Sequence, residues 1–431
     1  MDIWRIRGGR RLDGVCFVQG SKNASLPILA ASILGPAESE LQNVPQLRDI
    51  DAALRILRHL GCEAEQRDNE VYINSAGLVR SAIPHKLMLE MRSSVIFMGA
   101  LLARCGEARM CPPGGCQLGK RPIDLHLEAL RQLGARIEED GDEIVCRAER
   151  LRGTVIRLPF PSVGATENIM LAAAAAEGET VIRGAAREPE IEALARYLRD
   201  MGFAVDGAGT DTIVIGKGKP VSHVEHRIIA DRIVASTVAC AAAAVGGSVE
   251  LRGVEPEHFS TVLYFLKQAG CDIMSKNRSV WLRSGGQLKA VGEVRTEPYP
   301  GFPTDAQPVL MAALLRARGR SVITETIFEN RFRFLDELRK MGANSRVIET
   351  TAIITGVDHL SGARVNATDL RAGASLVIAA LMAEGVTEIS GVEYIMRGYE
   401  RFADKLRDLG AHIEHLRDGE VVSSNEFLQN I

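Results

Sequence analysis

One string returns six times along this chain and constrains its folding more than any other feature. It reads "LRHLGCEAE", "LRQLGARIE", "LRDMGFAVD", "LKQAGCDIM", "LRKMGANSR" and "LRDLGAHIE", with glycines at positions 61, 134, 202, 270, 342 and 410. The copies are spaced by about 70 residues. In each, an amphipathic helix ends on a glycine suited to the left-handed cap, and a strand follows. A second segment keeps step: "LPILAASILG", "VIFMGALLARCG", "IMLAAAAAEG", "VACAAAAVGG", "VLMAALLRARG" and "LVIAALMAEG". These are apolar on nearly every face, which predicts helices buried all round, each followed by a short strand. The unit is therefore helix, strand, helix, strand, strand. Its length exceeds the roughly 20–50 residues of solenoid repeats. Three units closing into each of two domains suit a chain of 431 residues better. The predicted class is α/β, with parallel apolar helices inside each domain and sheets and amphipathic helices around them.

Composition narrows the function classes. Hydrophobic residues make up 46% and charged ones 25%, as in ordinary globular proteins. The net charge of -3 and the lack of a basic run leave no footprint for nucleic acid. The N-terminus "MDIWRIRGGRRLDGV" lacks the apolar core of a signal peptide, and the most apolar helix is too short to span a bilayer. Eight cysteines without CxxC spacing predict free thiols in a reducing compartment, so a cytoplasmic location is expected. The nine histidines show no metal-ligand spacing, and neither a metal nor a cofactor is expected.

The starts of the six buried helices fall near Lys22–Asn23, Arg92, Gly164, Arg232, Asp305 and Arg371. Helix N-termini carry unpaired N–H groups and the positive end of the dipole, so they attract anions. Asp305, with Thr304 beside it, suits an ordinary helix cap. The cations do not, because a cation at a helix N-terminus is unfavourable without an anion, and their recurrence points to an anionic ligand. The loop "PPGGCQLGKRPIDLH" (112–126) is the other anomaly. Its glycines and prolines suit a mobile lid, and Lys120 and Arg121 would acidify the thiol of Cys116. Cys16, Cys62, Cys105, Cys111, Cys146, Cys240 and Cys271 sit in apolar contexts and read as small core hydrophobes.

With these stretches the chain resembles the UDP-N-acetylglucosamine enolpyruvyltransferases of the MurA type. The resemblance is carried by "GSKNASLPIL" (20–29), "MRSSV" (91–95), "PGGCQLGKRPIDLH" (113–126), "PSVGATENIM" (161–170) and "AAREPEI" (185–191). In the second half it rests on "FPTDAQP" (302–308), "ITETIFENRF" (323–332), "ATDLRAGASL" (367–376) and "RGYER" (397–401). It implies two inside-out α/β domains, 22–229 and 1–21 with 230–431, with chain crossings near Lys22 and Ala230. It implies transfer of the enolpyruvyl group of phosphoenolpyruvate to the 3-hydroxyl of UDP-N-acetylglucosamine, with release of phosphate. Cys116 matches the proton donor, and Asp305 the base at the sugar hydroxyl. Lys22, Arg121 and Arg397 match the cations on phosphoenolpyruvate, which Asn23 joins. Arg92, the 121–125 segment (Arg121, Pro122, Ile123, Asp124, Leu125), Ser162, Val163, Gly164 and Ile327 match the nucleotide-sugar site. Arg371 and Asp369 match cleft residues that support domain closure. Phe160 stands where several members have lysine, and Met396 where aspartate is common. The implied partners are small molecules only, with no nucleic acid and no membrane insertion; a monomer is expected.

Three other readings compete. The sister activity, enolpyruvyl transfer to shikimate 3-phosphate, would share the repeats and Lys22 but not the cysteine loop. A non-catalytic nucleotide-sugar-binding paralogue would not need an acid and a base together. A scaffold without a ligand would leave the cations at the helix starts unexplained. The tail after Arg417 reads as a final strand and a loose end.

Overall fold

The computed structural model describes residues 2–91, 93–111, 123–141, 143–418 and 420–422. Expectations for Arg92, Cys116, Arg121 and Pro122, and for the lid formed by their loop, therefore lie outside the described residues. The chain divides into two compact units, one holding residues 2–19 and 230–422, the other 20–111 and 123–229.

Each unit is built from three sheets and three buried helices. In the first unit the buried helices are Arg232–Val245, Gln307–Ala313 and Leu370–Met382, and each packs against the other two. In the second they are Lys22–Ala31, Phe97–Cys105 and Val163–Ala173. The expectation of burial all round is met most fully in Leu370–Met382, where every residue from Arg371 to Met382 is buried. Alanine-rich faces let such helices approach closely while they remove apolar area from water. The cap glycines at 61, 134, 202, 270, 342 and 410 all have positive φ, a region that other residues enter at a cost.

The sheets share one plan. The strand after the buried helix pairs antiparallel with the last strand of the repeat, which pairs with the strand after the cap glycine. On the other flank a parallel strand is added that the sequence reading did not foresee, except beside Glu107–Met110, where the described residues show only a single parallel bridge, Ala82 to Arg109. Val155–Arg157, Gly292–Arg295 and Arg364–Asn366 fill that place, and three or four residues are too few to display an alternating pattern.

Two of these flanking strands are exchanged between repeats. Leu12–Phe17 immediately precedes the buried helix Lys22–Ala31, yet pairs with Gly247–Arg252 of the fourth repeat. His223–Arg227 precedes the fourth buried helix, yet pairs with Glu38–Gln42 of the first. The N-terminal strand Asp2–Arg7 takes the last-strand place in the sixth sheet, antiparallel to both Val386–Ser390 and His412–Arg417. Asp2–Arg7 thus stands in the sixth sheet between the strand after the buried helix and the strand after the cap glycine. One cysteine departs from expectation: Cys105 is exposed, because it closes the buried helix at its solvent end, just before the cap Gly106.

Candidate active site

In the second unit, Lys22 opens the first buried helix behind the N-cap Ser21, whose hydroxyl accepts from Ala24 N at 3.2 Å. Pro27 in this helix has no N–H to return to the Asn23 carbonyl, so the turn bearing Lys22 and Asn23 depends on that cap. Lys22 Nζ donates to Asp49 Oδ2 at 3.1 Å, and the Asp49 carboxylate is buried in the first turn of Arg48–Leu60. A protein carboxylate therefore supplies one of the anions that the sequence argument sought in a ligand.

The segments 123–125 and 162–164 are brought side by side. Ser162 caps Val163–Ala173, its hydroxyl accepting from Ala165 N at 3.3 Å. Gly164 faces the ring of His126, which follows Leu125; a Cβ on Gly164 would lie 3.1 Å from His126 Cε1. Ile123 and Leu125 are half-buried and Asp124 is exposed. Asn168 holds the imidazole. Its Nδ2 donates to His126 Nδ1 at 2.7 Å and to Val95 O at 3.0 Å, while its Oδ1 accepts from Gly99 N at 2.7 Å. That arrangement makes Nδ1 an acceptor and leaves the ring proton on Nε2. Burial pushes the His126 pKa down to about 4, so the ring is neutral at pH 7. Within the same helix Glu167 is buried, and burial together with the charges of Glu190 and Glu188 pushes its carboxyl well above the usual range.

In the first unit Asp305 is gripped from two sides. Its Oδ1 accepts from Arg331 Nη2 at 3.0 Å, and its Oδ2 accepts from Arg371 Nε at 3.1 Å and Nη2 at 2.9 Å. Both arginines are buried, whereas the Asp305 side chain remains 31% exposed. Burial opposes the charge on Arg371, but Asp305, Tyr399 and Asp231 together outweigh it and raise the guanidinium pKa. The guanidinium also lies over the Tyr399 ring, 5.5 Å from its centroid. The cap reading of Asp305 does not hold. The helix Gln307–Ala313 begins behind Ala306 with no side-chain cap. Asp369, by contrast, is a true N-cap, accepting from Arg371 N at 2.9 Å and Ala372 N at 3.0 Å. Arg397 is half-buried just beyond the short helix Val392–Ile395, and the amide of Ile327 donates to Glu325 Oε1 at 2.8 Å.

Sequence reasoning missed Asp49, His126, Asn168, Glu325 and Arg331 as members of these clusters. "DLH", "TEN" and "ENRF" contain several of them, but their partners are 26 to 73 positions away. Only packing joins such residues. One group of potential metal ligands occurs among the described residues: Glu40, His223 and Glu225 on the paired strands Glu38–Gln42 and His223–Arg227, with donor atoms within 4.8 Å of one another. It is largely exposed and shares no residue with the clusters above.

Comparison with known proteins identifies the family. Residues 6–406 match the family EPSP synthase (3-phosphoshikimate 1-carboxyvinyltransferase). A UDP-N-acetylglucosamine 1-carboxyvinyltransferase 2 of Caldanaerobacter subterraneus subsp. tengcongensis is 48% identical over 96% of this chain and 99% of its own. Its namesake in Carboxydothermus hydrogenoformans is 47% identical over 97% of this chain and 100% of its own. Among solved structures, the enolpyruvyl transferase NikO from Streptomyces tendae superposes with a TM-score of 0.86 at 24% identity, covering 98% of this chain and 99% of that one. An EPSP synthase from Acinetobacter baumannii gives 0.77 at 23% identity, covering 97% and 100%. No helix among the described residues is long and apolar enough to cross a membrane. The chain belongs to the EPSP synthase family of carboxyvinyltransferases, alongside relatives named UDP-N-acetylglucosamine 1-carboxyvinyltransferase.

Proposed function

We propose that this protein transfers the enolpyruvyl group of phosphoenolpyruvate to the 3-hydroxyl of UDP-N-acetylglucosamine and releases phosphate, as an early step of peptidoglycan precursor synthesis. The observation that carries the reading is identity of 45–48% over nearly the full length to proteins named for this activity. Lys22, Arg121 and Arg397 neutralise the carboxylate and phosphate of phosphoenolpyruvate, with Asn23 beside them. Arg92, residues 121–125, Ser162, Val163, Gly164 and Ile327 hold the nucleotide sugar, with the backbone amides at the start of Val163–Ala173 suited to its diphosphate.

Asp305 draws the proton from the 3-hydroxyl as the hydroxyl oxygen bonds to the central carbon of phosphoenolpyruvate. Cys116 delivers a proton to the methylene carbon. The bond to phosphate then breaks, and a proton leaves the new methyl group to restore the double bond. Atoms balance, and no electrons are gained or lost. Arg331 and Arg371 serve the base by fixing both oxygens of Asp305, and their grip supports its ionised form. Both substrates are charged, water-soluble phosphate compounds, and we place the enzyme in the cytoplasm as a monomer.

The family's description names the sister activity, on 3-phosphoshikimate, while the 45–48% identical relatives carry the name of the nucleotide-sugar activity. Incubation with phosphoenolpyruvate and UDP-N-acetylglucosamine tests the main reading. Phosphate should appear in step with a nucleotide sugar heavier by one enolpyruvyl group in the mass spectrum. Phosphate without that product would refute it.

A further inference from the structure

We propose that Glu325 is a positioning residue that sets Ile327 and Asp305 together, an inference that rests on the function read above. Glu325 follows the strand Arg320–Thr324 and is 2% exposed. Four donors converge on its carboxylate. Oε1 accepts from the amides of Ile327 at 2.8 Å and Phe328 at 3.1 Å, and from the Thr296 hydroxyl at 3.0 Å. Oε2 accepts from the Thr304 hydroxyl at 2.9 Å.

An ionised carboxylate offers about four lone-pair positions, so this group is close to saturated. Two successive amides bonded to one oxygen hold the turn after Glu325 in a single form, which fixes where Ile327 stands. The Thr296 hydroxyl in turn accepts from Thr326 N at 2.9 Å, tying the same turn to a second loop. Thr304 immediately precedes Asp305. Its hydroxyl is held by Glu325 and its carbonyl accepts from Arg331 Nη2 at 3.2 Å, so the backbone that carries Asp305 is pinned on both sides. One buried carboxylate thus links a nucleotide-sugar contact to the base.

The link has two arms, and they can be cut separately. Thr304→Val removes only the arm to Asp305. It should lower kcat by about 10-fold and leave the Kd for UDP-N-acetylglucosamine, measured by calorimetry, within about 2-fold. Glu325→Ala cuts both arms. It should lower kcat by on the order of 10²-fold, the cost of a misplacement near 1 Å, and also weaken nucleotide-sugar binding. Glu325→Gln keeps an oxygen for the two amides and should recover most of that binding. A purely structural Glu325 predicts a lower Tm with kcat and Kd unchanged per folded molecule, and that result would overturn the proposal. If Glu325→Ala does not fold, Thr304→Val and Glu325→Gln decide: normal kcat in the first, or lost binding in the second, overturns it. Failure of the wild-type protein to act on UDP-N-acetylglucosamine would count against the proposed function instead.

Discussion

Replacing Asp305 tests the base assignment and the buried network at once. Asp305→Ala strands two guanidinium groups whose side chains are 3% and 5% exposed. Removing one partner of a buried ion pair costs about 3–5 kcal/mol. Because Asp305 itself is 31% exposed, water can enter, and the lower end, about 3 kcal/mol, is expected. For a unit of about 200 residues this lowers Tm by about 6–12 °C. Loss of the base should reduce kcat by about 10²–10⁴-fold, with nucleotide-sugar affinity changed only a few-fold. Asp305→Asn sharpens the comparison. The amide keeps the shape and one acceptor for an arginine, so the fold should suffer less, but it cannot take a proton and kcat should fall as far. Phosphate release gives kcat, calorimetry gives the affinity of UDP-N-acetylglucosamine, and thermal denaturation gives Tm. Normal turnover in Asp305→Asn, or lost affinity with unchanged kcat, refutes the assignment. A loss of stability with normal turnover would leave Asp305 as an ion-pair partner of Arg331 and Arg371 with no part in the chemistry.

Fosfomycin, an epoxide phosphonate, should alkylate Cys116 selectively, since burial pushes the thiols of Cys62, Cys146 and Cys271 up to about 11 and those of Cys16, Cys105 and Cys240 upward as well; peptide mapping that finds another modified thiol contradicts this. Cys116→Asp should retain activity as a proton donor while Cys116→Ala loses about 10²–10⁴-fold, and full activity in the latter removes Cys116 from the mechanism. His126 is held neutral by burial with a pKa of about 4, below its ordinary value near 6.5, so the stability it contributes is present above pH 6.5 and is lost as pH falls towards 4. About 2 kcal/mol should disappear between pH 7 and pH 5 in urea titrations, and His126→Gln should flatten that slope. Gly164→Ala puts a Cβ 3.1 Å from a ring that Asn168 holds in place, and should raise the KM for the nucleotide sugar more than it lowers kcat; unchanged KM would separate this turn from the acceptor.

The repeats were legible because long apolar helices and their cap glycines recur at a fixed interval, and local sequence decides both. The flanking strands were not, since "VIR" or "RVN" becomes a strand only when a neighbour offers its edge. The exchange of Leu12–Phe17 and His223–Arg227 between repeats one and four is equally invisible locally, although it sets where the chain passes from one unit to the other. At the candidate site, residue types were readable but pairings were not. Lys22 and Arg371 were singled out as cations in need of an anion. The structure gives each a protein carboxylate, Asp49 and Asp305, separated from them by 27 and 66 positions. Charge at a helix start therefore marked ion pairs with distant carboxylates, which the sequence alone had assigned to a ligand. Cys105 shows the converse error, where an apolar helix suggested burial but its last turn faces solvent.

The central claim is the identity of the acceptor, and one measurement addresses it directly. Phosphate release from phosphoenolpyruvate should be followed with UDP-N-acetylglucosamine and, separately, with shikimate 3-phosphate, each over a range that yields kcat/KM. The account predicts turnover with the nucleotide sugar at least about 10³-fold more efficient, because a site built to hydrogen-bond one substrate rejects another that leaves its polar groups unpaired. Equal efficiency, or a preference for shikimate 3-phosphate, would contradict it.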